Sequence, residues 1–258
     1  QTTVDEVIRV TNDEICAAIK DIFDDTRTIM EPAGALAVAG LKSYVEREKI
    51  RDKHLVALLS GANMNFDRLR FVAERAELGE ARETVLGVTI PERPGAFREF
   101  CSAIGRRVIT EFNYRLSHRD QAHIFVGVGT SSKNDATNLS SSLNELGYKT
   151  VDLSGSEVAK LHVRHMVGGH AVNTEHELLC RFEFPERPGA LMHFLDALGD
   201  RWNISLFHYR NHGADFGRVL AGFEIPKSDR DQFTSFLEQL GYPYHLELES
   251  SAYDLFLS

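Results

Sequence analysis

A six-residue string written twice constrains this chain more than any other feature. Pro91-Glu92-Arg93-Pro94-Gly95-Ala96 recurs 94 residues on as Pro185-Glu186-Arg187-Pro188-Gly189-Ala190. The correspondence continues downstream: Phe97, Phe100 and Ala103-Ile104-Gly105 are answered by Leu191, Phe194 and Ala197-Leu198-Gly199. Phe112-Asn113-Tyr114-Arg115 is answered by Phe207-His208-Tyr209-Arg210, one residue further apart, and Asn144-Glu145-Leu146-Gly147-Tyr148 by Glu238-Gln239-Leu240-Gly241-Tyr242. A unit of about 70 residues is therefore duplicated, near residues 83–153 and 178–249, and repeated units of this kind bury their apolar faces on one another.

Within each copy the apolar period switches between 2 and about 3.6. In the first, residues 84–90 alternate as a half-buried strand, Pro94-Gly95 turns the chain, and 97–104 carry apolar residues at helical spacing. Strands over 108–115 and 124–129 follow, then a helix marked by Leu139, Leu143 and Leu146, a Gly147 stop and a last strand over 149–153. The second copy reads the same over 179–184, 190–198, 204–209, 219–225, 231–240 and 244–249. The order β-α-β-β-α-β predicts a ferredoxin-like unit, an antiparallel sheet with two helices on one face. Such a unit leaves a sheet edge open, so the two copies are expected to pair. Between them, 154–177 reads as a linker with a short helix over 156–165 and a Val167-Gly168-Gly169 turn.

The segment before the repeats differs. Thr11-Asn12-Asp13-Glu14 fits a capping box ahead of Ile15, Ala18, Ile19, Ile22 and Phe23 on one helical face. Pro32 suits the first turn of a helix continuing over 33–47. An apolar strand over 54–59, a Ser60-Gly61-Ala62-Asn63 loop and a helix over 66–77 complete one flank of a parallel α/β sheet, which is incomplete. The chain opens on Gln1 without methionine, and a piece of a longer protein is expected. The predicted organisation is an α/β remnant over 1–80, modules over 81–155 and 178–258, and a linker over 156–177, α+β overall.

Composition removes several function classes. With 29 basic against 38 acidic side chains, a net charge of −9, the chain lacks the cationic surplus that nucleic acid or an anionic membrane demands. No apolar run approaches the roughly 18–20 residues of a membrane span, and no secretory segment opens the chain. The three cysteines, Cys16, Cys101 and Cys180, are far apart, so free buried thiols in the reducing cytoplasm are expected. His162, His165, His170 and His176 fall on a helix and a glycine-bearing loop rather than converging as metal ligands do, and no metal site is expected.

Five motifs together carry a family resemblance. They are Glu31-Pro32-Ala33-Gly34-Ala35-Leu36, the Ser60-Gly61-Ala62-Asn63-Met64-Asn65-Phe66 loop, Glu77-Leu78-Gly79-Glu80, Lys160-Leu161-His162-Val163-Arg164 with Met166-Val167-Gly168-Gly169, and Trp202-Asn203-Ile204-Ser205-Leu206-Phe207-His208-Tyr209-Arg210. In combination they resemble the biosynthetic threonine dehydratases of the pyridoxal-phosphate β-family. The match runs from the end of a fold type II catalytic domain through a regulatory half of two ACT-like modules. The resemblance implies an enzyme that deaminates L-threonine to 2-oxobutanoate and ammonia, inhibited by isoleucine, activated by valine and assembled as a tetramer. It places Ser60 against the pyridine nitrogen of the cofactor, with Gly61 and Glu31 in the same site. The family's Schiff-base lysine and glycine-rich phosphate cup have no counterpart here, so no catalytic residue is assigned and the chain is expected to be inactive alone. The competing expectation is a free-standing amino-acid sensor without chemistry.

A free amino acid needs donors for its carboxylate, an acceptor for its ammonium and a small apolar pocket. Pro94-Gly95 and Pro188-Gly189 each end a loop at a predicted helix N-terminus, where unpaired amides and the helix dipole attract an anion. Leu191 and Leu195 can line the aliphatic pocket of the second copy, with core packing the competing role for Leu195; Phe97 and Cys101 correspond in the first. By resemblance, Tyr114 and Tyr209 match the family's effector-contacting tyrosines, followed by Arg115 and Arg210. Taken alone, a Pro-Gly pair is only a turn, the tyrosines can simply cap strands, and Arg210 can pair with Asp215 or Glu224.

Overall fold

The computed structural model describes residues 3–80, 82–166, 168, 171, 174, 176–185, 187–210, 216–247 and 257. Gln1, Val167, Gly169, His170, Glu186 and Asp215, all named above, lie outside them, as does residue 249 at the end of the second repeat. The chain divides into two compact units, Gln1–Glu83 and Thr84–Ser258. No helix among the described residues is long and apolar enough to cross a membrane.

The first unit is built on α1 (Asn12–Thr26), α2 (Pro32–Glu48) and α3 (Arg68–Gly79). The predicted capping box starts α1: the Glu14 amide donates to Thr11 Oγ1 at 3.2 Å and the Thr11 amide to the Glu14 carboxylate at 2.6 Å. Two of the free amides at the helix start are thereby satisfied. Cys16, Ala18, Ile19 and Ile22 then meet Ala35 and Ala39 of α2 and Val72 and Ala76 of α3 in one buried cluster. Gly79 allows the closest approach, since a Cβ there would lie 2.0 Å from the Asp13 carbonyl oxygen.

The strand predicted over 54–59 does not form; the segment is irregular, with Val56 93% and Leu58 78% exposed. An apolar run becomes a strand only against a partner that accepts and donates its ladder hydrogen bonds. Among the described residues of this unit there is no other strand to provide one.

The second unit contains both copies of the repeat. The first copy is β1 (Glu83–Pro91), α4 (Ala96–Ile104), β2 (Ile109–Arg115), β3 (Gln121–Gly129), α5 (Lys133–Glu145) and β4 (Lys149–Asp152). The linker holds α6 (Glu157–Leu161), capped by Ser156, and a 3-10 turn (Val163–His165), so the single helix predicted there breaks at His162. The second copy is β5 (Glu177–Pro185), α7 (Ala190–Leu198), β6 (Asn203–Arg210), β7 (Phe216–Glu224), α8 (Arg230–Leu240) and β8 (Tyr244–Leu246).

All eight strands form one sheet in the order β4-β1-β3-β2-β6-β7-β5-β8. The seam is the antiparallel pair β2–β6, running from Glu111 opposite Arg210 to Arg115 opposite Leu206. Asn113 and His208 are equivalent in the repeat and lie opposite each other, so a local two-fold axis passes through this pair. Each copy also carries its strand irregularity at the same place, between Ile109 and Glu111 and between Ile204 and Leu206. The open edge expected of one module is thus closed by the other.

Phe112 and Phe207 cross the seam edge-to-face at 5.5 Å, and Phe100 of α4 and Phe194 of α7 are fully buried with them. Alternate residues of the same strands point to the opposite face. There Glu111, 1% exposed at its side chain, receives Arg164 at 2.7 Å, while Asn113 Nδ2 donates to the Arg164 carbonyl at 3.1 Å. The linker is thereby anchored on the sheet face away from α4 and α7.

Candidate effector site between the modules

Each module turns from its first strand into its first helix at a glycine in the left-handed region, Gly95 at φ 83° and Gly189 at φ 89°. An L side chain is strained there, which is why the duplicated Pro-Gly ends in glycine. Neither helix has a side-chain cap, so the first-turn amides of α4 and α7 carry the partial positive charge of the helix dipole.

At Gly189 this turn opens into a cavity of about 640 Å³. The second module lends Gly189, Leu191, Met192 and Tyr209; the first lends Cys101, Arg106, Val108 and Ile109. Burial pushes the Cys101 thiol up to about 12, so it lines the wall as a neutral, weakly polar group. Arg107 is fixed at the cavity by a bidentate pair with Asp135 at 2.6 and 2.7 Å. That guanidinium, with the Ser131 amide, holds the Asp135 carboxyl well below the usual range.

At Gly95 the two-fold mate of this cavity is a crevice of about 10 Å³ lined by Pro94, Gly95, Phe97, Leu195, Trp202 and Asn203. Phe97 stands edge-on to Tyr114 at 4.9 Å. The Tyr114 hydroxyl donates to Glu92, and Asn203 Nδ2 donates to Glu92 and to Glu224, each at 3.0 Å. Burial raises the Glu92 carboxyl above its ordinary value and the Glu224 charge adds to this, against the pull of the two donors.

The expected effector residues therefore divide three ways. Gly189, Leu191 and Tyr209 meet at the open cavity, whereas Pro94, Gly95, Phe97 and Leu195 meet at the closed crevice, Leu195 being 2% exposed and part of the core. Tyr114 is buried beside Phe97. Arg115 and Arg210 reach neither place. Arg115 is ion-paired with Glu177 and donates to the Leu257 carbonyl, and Arg210 Nη1 lies 3.1 Å from His165 Nδ1. Neighbours on a strand point to opposite faces, so a tyrosine facing the helices turns the next arginine away from them. Arg106, Val108, Ile109 and Met192 lacked a motif to announce them, although 49% exposure of Val108 fits an apolar group at a cavity mouth.

In the first unit, Glu31, Ser60 and Gly61 come together. The Glu31 amide donates to the Gly61 carbonyl at 3.3 Å, and a Cβ on Gly61 would lie 2.4 Å from Glu31 Oε1. A Cβ on Gly34 would lie 2.2 Å from the Ser60 carbonyl oxygen, so that glycine lets the start of α2 abut the loop. Among the described residues, no group of three or more His, Cys, Asp or Glu is placed to hold a metal ion.

Comparison with known proteins agrees with the duplication. The model of the C-terminal regulatory domain of threonine dehydratase matches twice, over residues 74–163 and 168–257. The biosynthetic L-threonine dehydratase of Burkholderia multivorans is 55% identical over 99% of this chain and 50% of its own length. That of Escherichia coli K12 is 52% identical over 100% of this chain and again 50% of its own. A mitochondrial threonine dehydratase of Saccharomyces cerevisiae is 49% identical, with 47% of its length covered. The chain spans about half the length of the curated relatives it matches. By its two tandem matches and its identity with these relatives, the chain belongs to the threonine dehydratase C-terminal regulatory domain family.

Proposed function

We propose that residues 84–258 sense branched-chain amino acids for a pyridoxal-phosphate-dependent threonine dehydratase, with isoleucine as inhibitor and valine as activator. The observation that carries this reading is the cavity of about 640 Å³ at Gly189, a size typical of small-ligand sites. It offers a carboxylate the α7 amides and an aliphatic side chain the surfaces of Leu191, Met192, Val108 and Ile109. Tyr209 adds a polar tip beside these apolar surfaces, and Arg106 and Arg107 add positive charge. Isoleucine and valine differ by one methylene, worth about 1–3 kcal/mol in an apolar pocket. Opposite effects then require that each prefer a different state of the whole protein.

The whole protein converts L-threonine to 2-oxobutanoate and ammonia, as a tetramer in the cytoplasm, where Cys16, Cys101 and Cys180 stay reduced. Glu31, Ser60 and Gly61 are this chain's share of the cofactor site. The close fit of Gly34 against the Ser60-Gly61 backbone and of Gly61 against the Glu31 side chain supports this, since it fixes where the Ser60 backbone stands. Ser60 would offer the pyridine nitrogen a neutral hydroxyl, and the bound cofactor supplies the electron sink for elimination. Titration calorimetry and thermal shift with isoleucine and valine, threonine being the control, test the sensing role. A rise in melting temperature with isoleucine at millimolar concentration is expected, weakened selectively in Tyr209→Ala. A folded chain that responds to neither effector overturns the reading.

A further inference from the structure

The two-fold axis makes the Gly189 cavity and the Gly95 crevice copies of one design that differ at several lining side chains. Phe97 stands where the second copy has Leu191, Arg98 where it has Met192, and Asp200 where the first copy has Arg106. The stretch between Gly199 and Ile204 is also one residue longer than that between Gly105 and Ile109, and it carries Trp202.

These exchanges, together with Leu195 at the crevice where the open cavity has the smaller Cys101, leave less space at Gly95. Among the described residues nothing lies within 4 Å of where a Cβ on Gly189 would be, whereas at Gly95 the Asp200 carboxylate is there already, Oδ1 at 2.3 Å. Arg98 Nη2 donates to the same oxygen at 2.8 Å. Phe97, 6% exposed, fills the side-chain half of the crevice against Tyr114, while the smaller Leu191 is only half-buried and leaves its half open. The closed site thus contains a carboxylate beside the glycine turn, a cation on it and a bulky apolar group behind, all from the chain itself. At the open site the position equivalent to Asp200 is a cation, Arg106, which lines the cavity.

We infer that each chain takes one amino acid, at the Gly189 cavity with Arg106 as counter-charge to its carboxylate, and that the sister site is permanently occupied by the chain's own Asp200 carboxylate and Phe97 ring. This rests on the reading of the Gly189 cavity as an amino-acid site. The exchange of Arg106 for Asp200 is the selective element: a cation attracts the ligand's carboxylate at one turn, and a fixed carboxylate repels it at the other. The Asp200 side chain is 62% exposed, so its pair with Arg98 contributes little to stability and either residue can be replaced without loss of fold.

Isothermal titration of isoleucine into the full chain decides the matter. One equivalent per chain is expected, with affinity reduced at least tenfold in Arg106→Ala and unchanged within twofold in Asp200→Ala. A second equivalent is expected in the double variant Asp200→Ala with Phe97→Leu. Two equivalents in the unmodified chain, one equivalent indifferent to Arg106→Ala, or a folded double variant still at one equivalent would each overturn the inference while leaving amino-acid sensing intact. No binding at all removes both. Should the double variant fail to fold, the stoichiometry of the unmodified chain and the Arg106→Ala affinity remain decisive.

Discussion

Asp135 illustrates how a surface residue can shape the cavity from behind. It holds Arg107 in a bidentate pair and accepts from the Ser131 amide at 2.9 Å, and these contacts lower its carboxyl pKa. A carboxyl whose folded value lies below its ordinary 3.8 contributes stability above that value and loses it as pH falls through the folded one. The melting-temperature advantage of the native chain over Asp135→Asn should therefore shrink as pH is taken from about 5 to about 2.5, and circular dichroism melts would show it. A second residue-scale prediction concerns Glu111 and Arg164, both nearly fully buried at their side chains. Arg164→Ala leaves an uncompensated buried charge and should cost about 3–5 kcal/mol in urea unfolding, whereas replacing both by apolar residues should cost much less. The sequence reading grouped Arg115 and Arg210 with Tyr114 and Tyr209, although a period of 2 sends adjacent strand residues to opposite faces and so argues for their division. The role of Arg106 was not, because its partner surface belongs to the other module, far away along the chain.

Among the elements, the helices and strands of the repeats follow the apolar periodicity to within a few residues, and the left-handed glycines Gly95 and Gly189 start α4 and α7 where the Pro-Gly pairs predict. Residues 54–59 show the limit of that reading. Their apolarity fits a strand, yet a strand is a property of a pair, and pairing depends on what lies alongside. The same rule in reverse makes β2 and β6 strong, since each lies between two neighbours. Phe112 and Phe207 straddle the seam with no exposure above 1%, so Phe112→Ala should lower stability by about 3–5 kcal/mol. The denaturant midpoint should fall while the slope stays near its native value; a changed slope would mean that the modules separate before they unfold.

At the scale of the whole molecule, the open cavity is lined by both modules, so neither copy of the repeat contains a complete site. Residues 84–258 form a compact unit of their own and should, expressed alone, fold and keep isoleucine affinity within about threefold of the full chain. Either single module should bind none, and calorimetry on the three pieces separates these outcomes. The amino-acid sequence by itself determined the local structure and the duplication, because capping, glycine turns and apolar period act over a few residues and recur wherever the string recurs. It also announced that two equivalent turns exist. Only the tertiary structure decided that β2 pairs with β6, that the repeat becomes a two-fold, and that one turn stays open while the other is filled by Asp200 and Phe97. Those outcomes depend on side chains brought together from distant parts of the chain, and a period read along one strand carries no information about them.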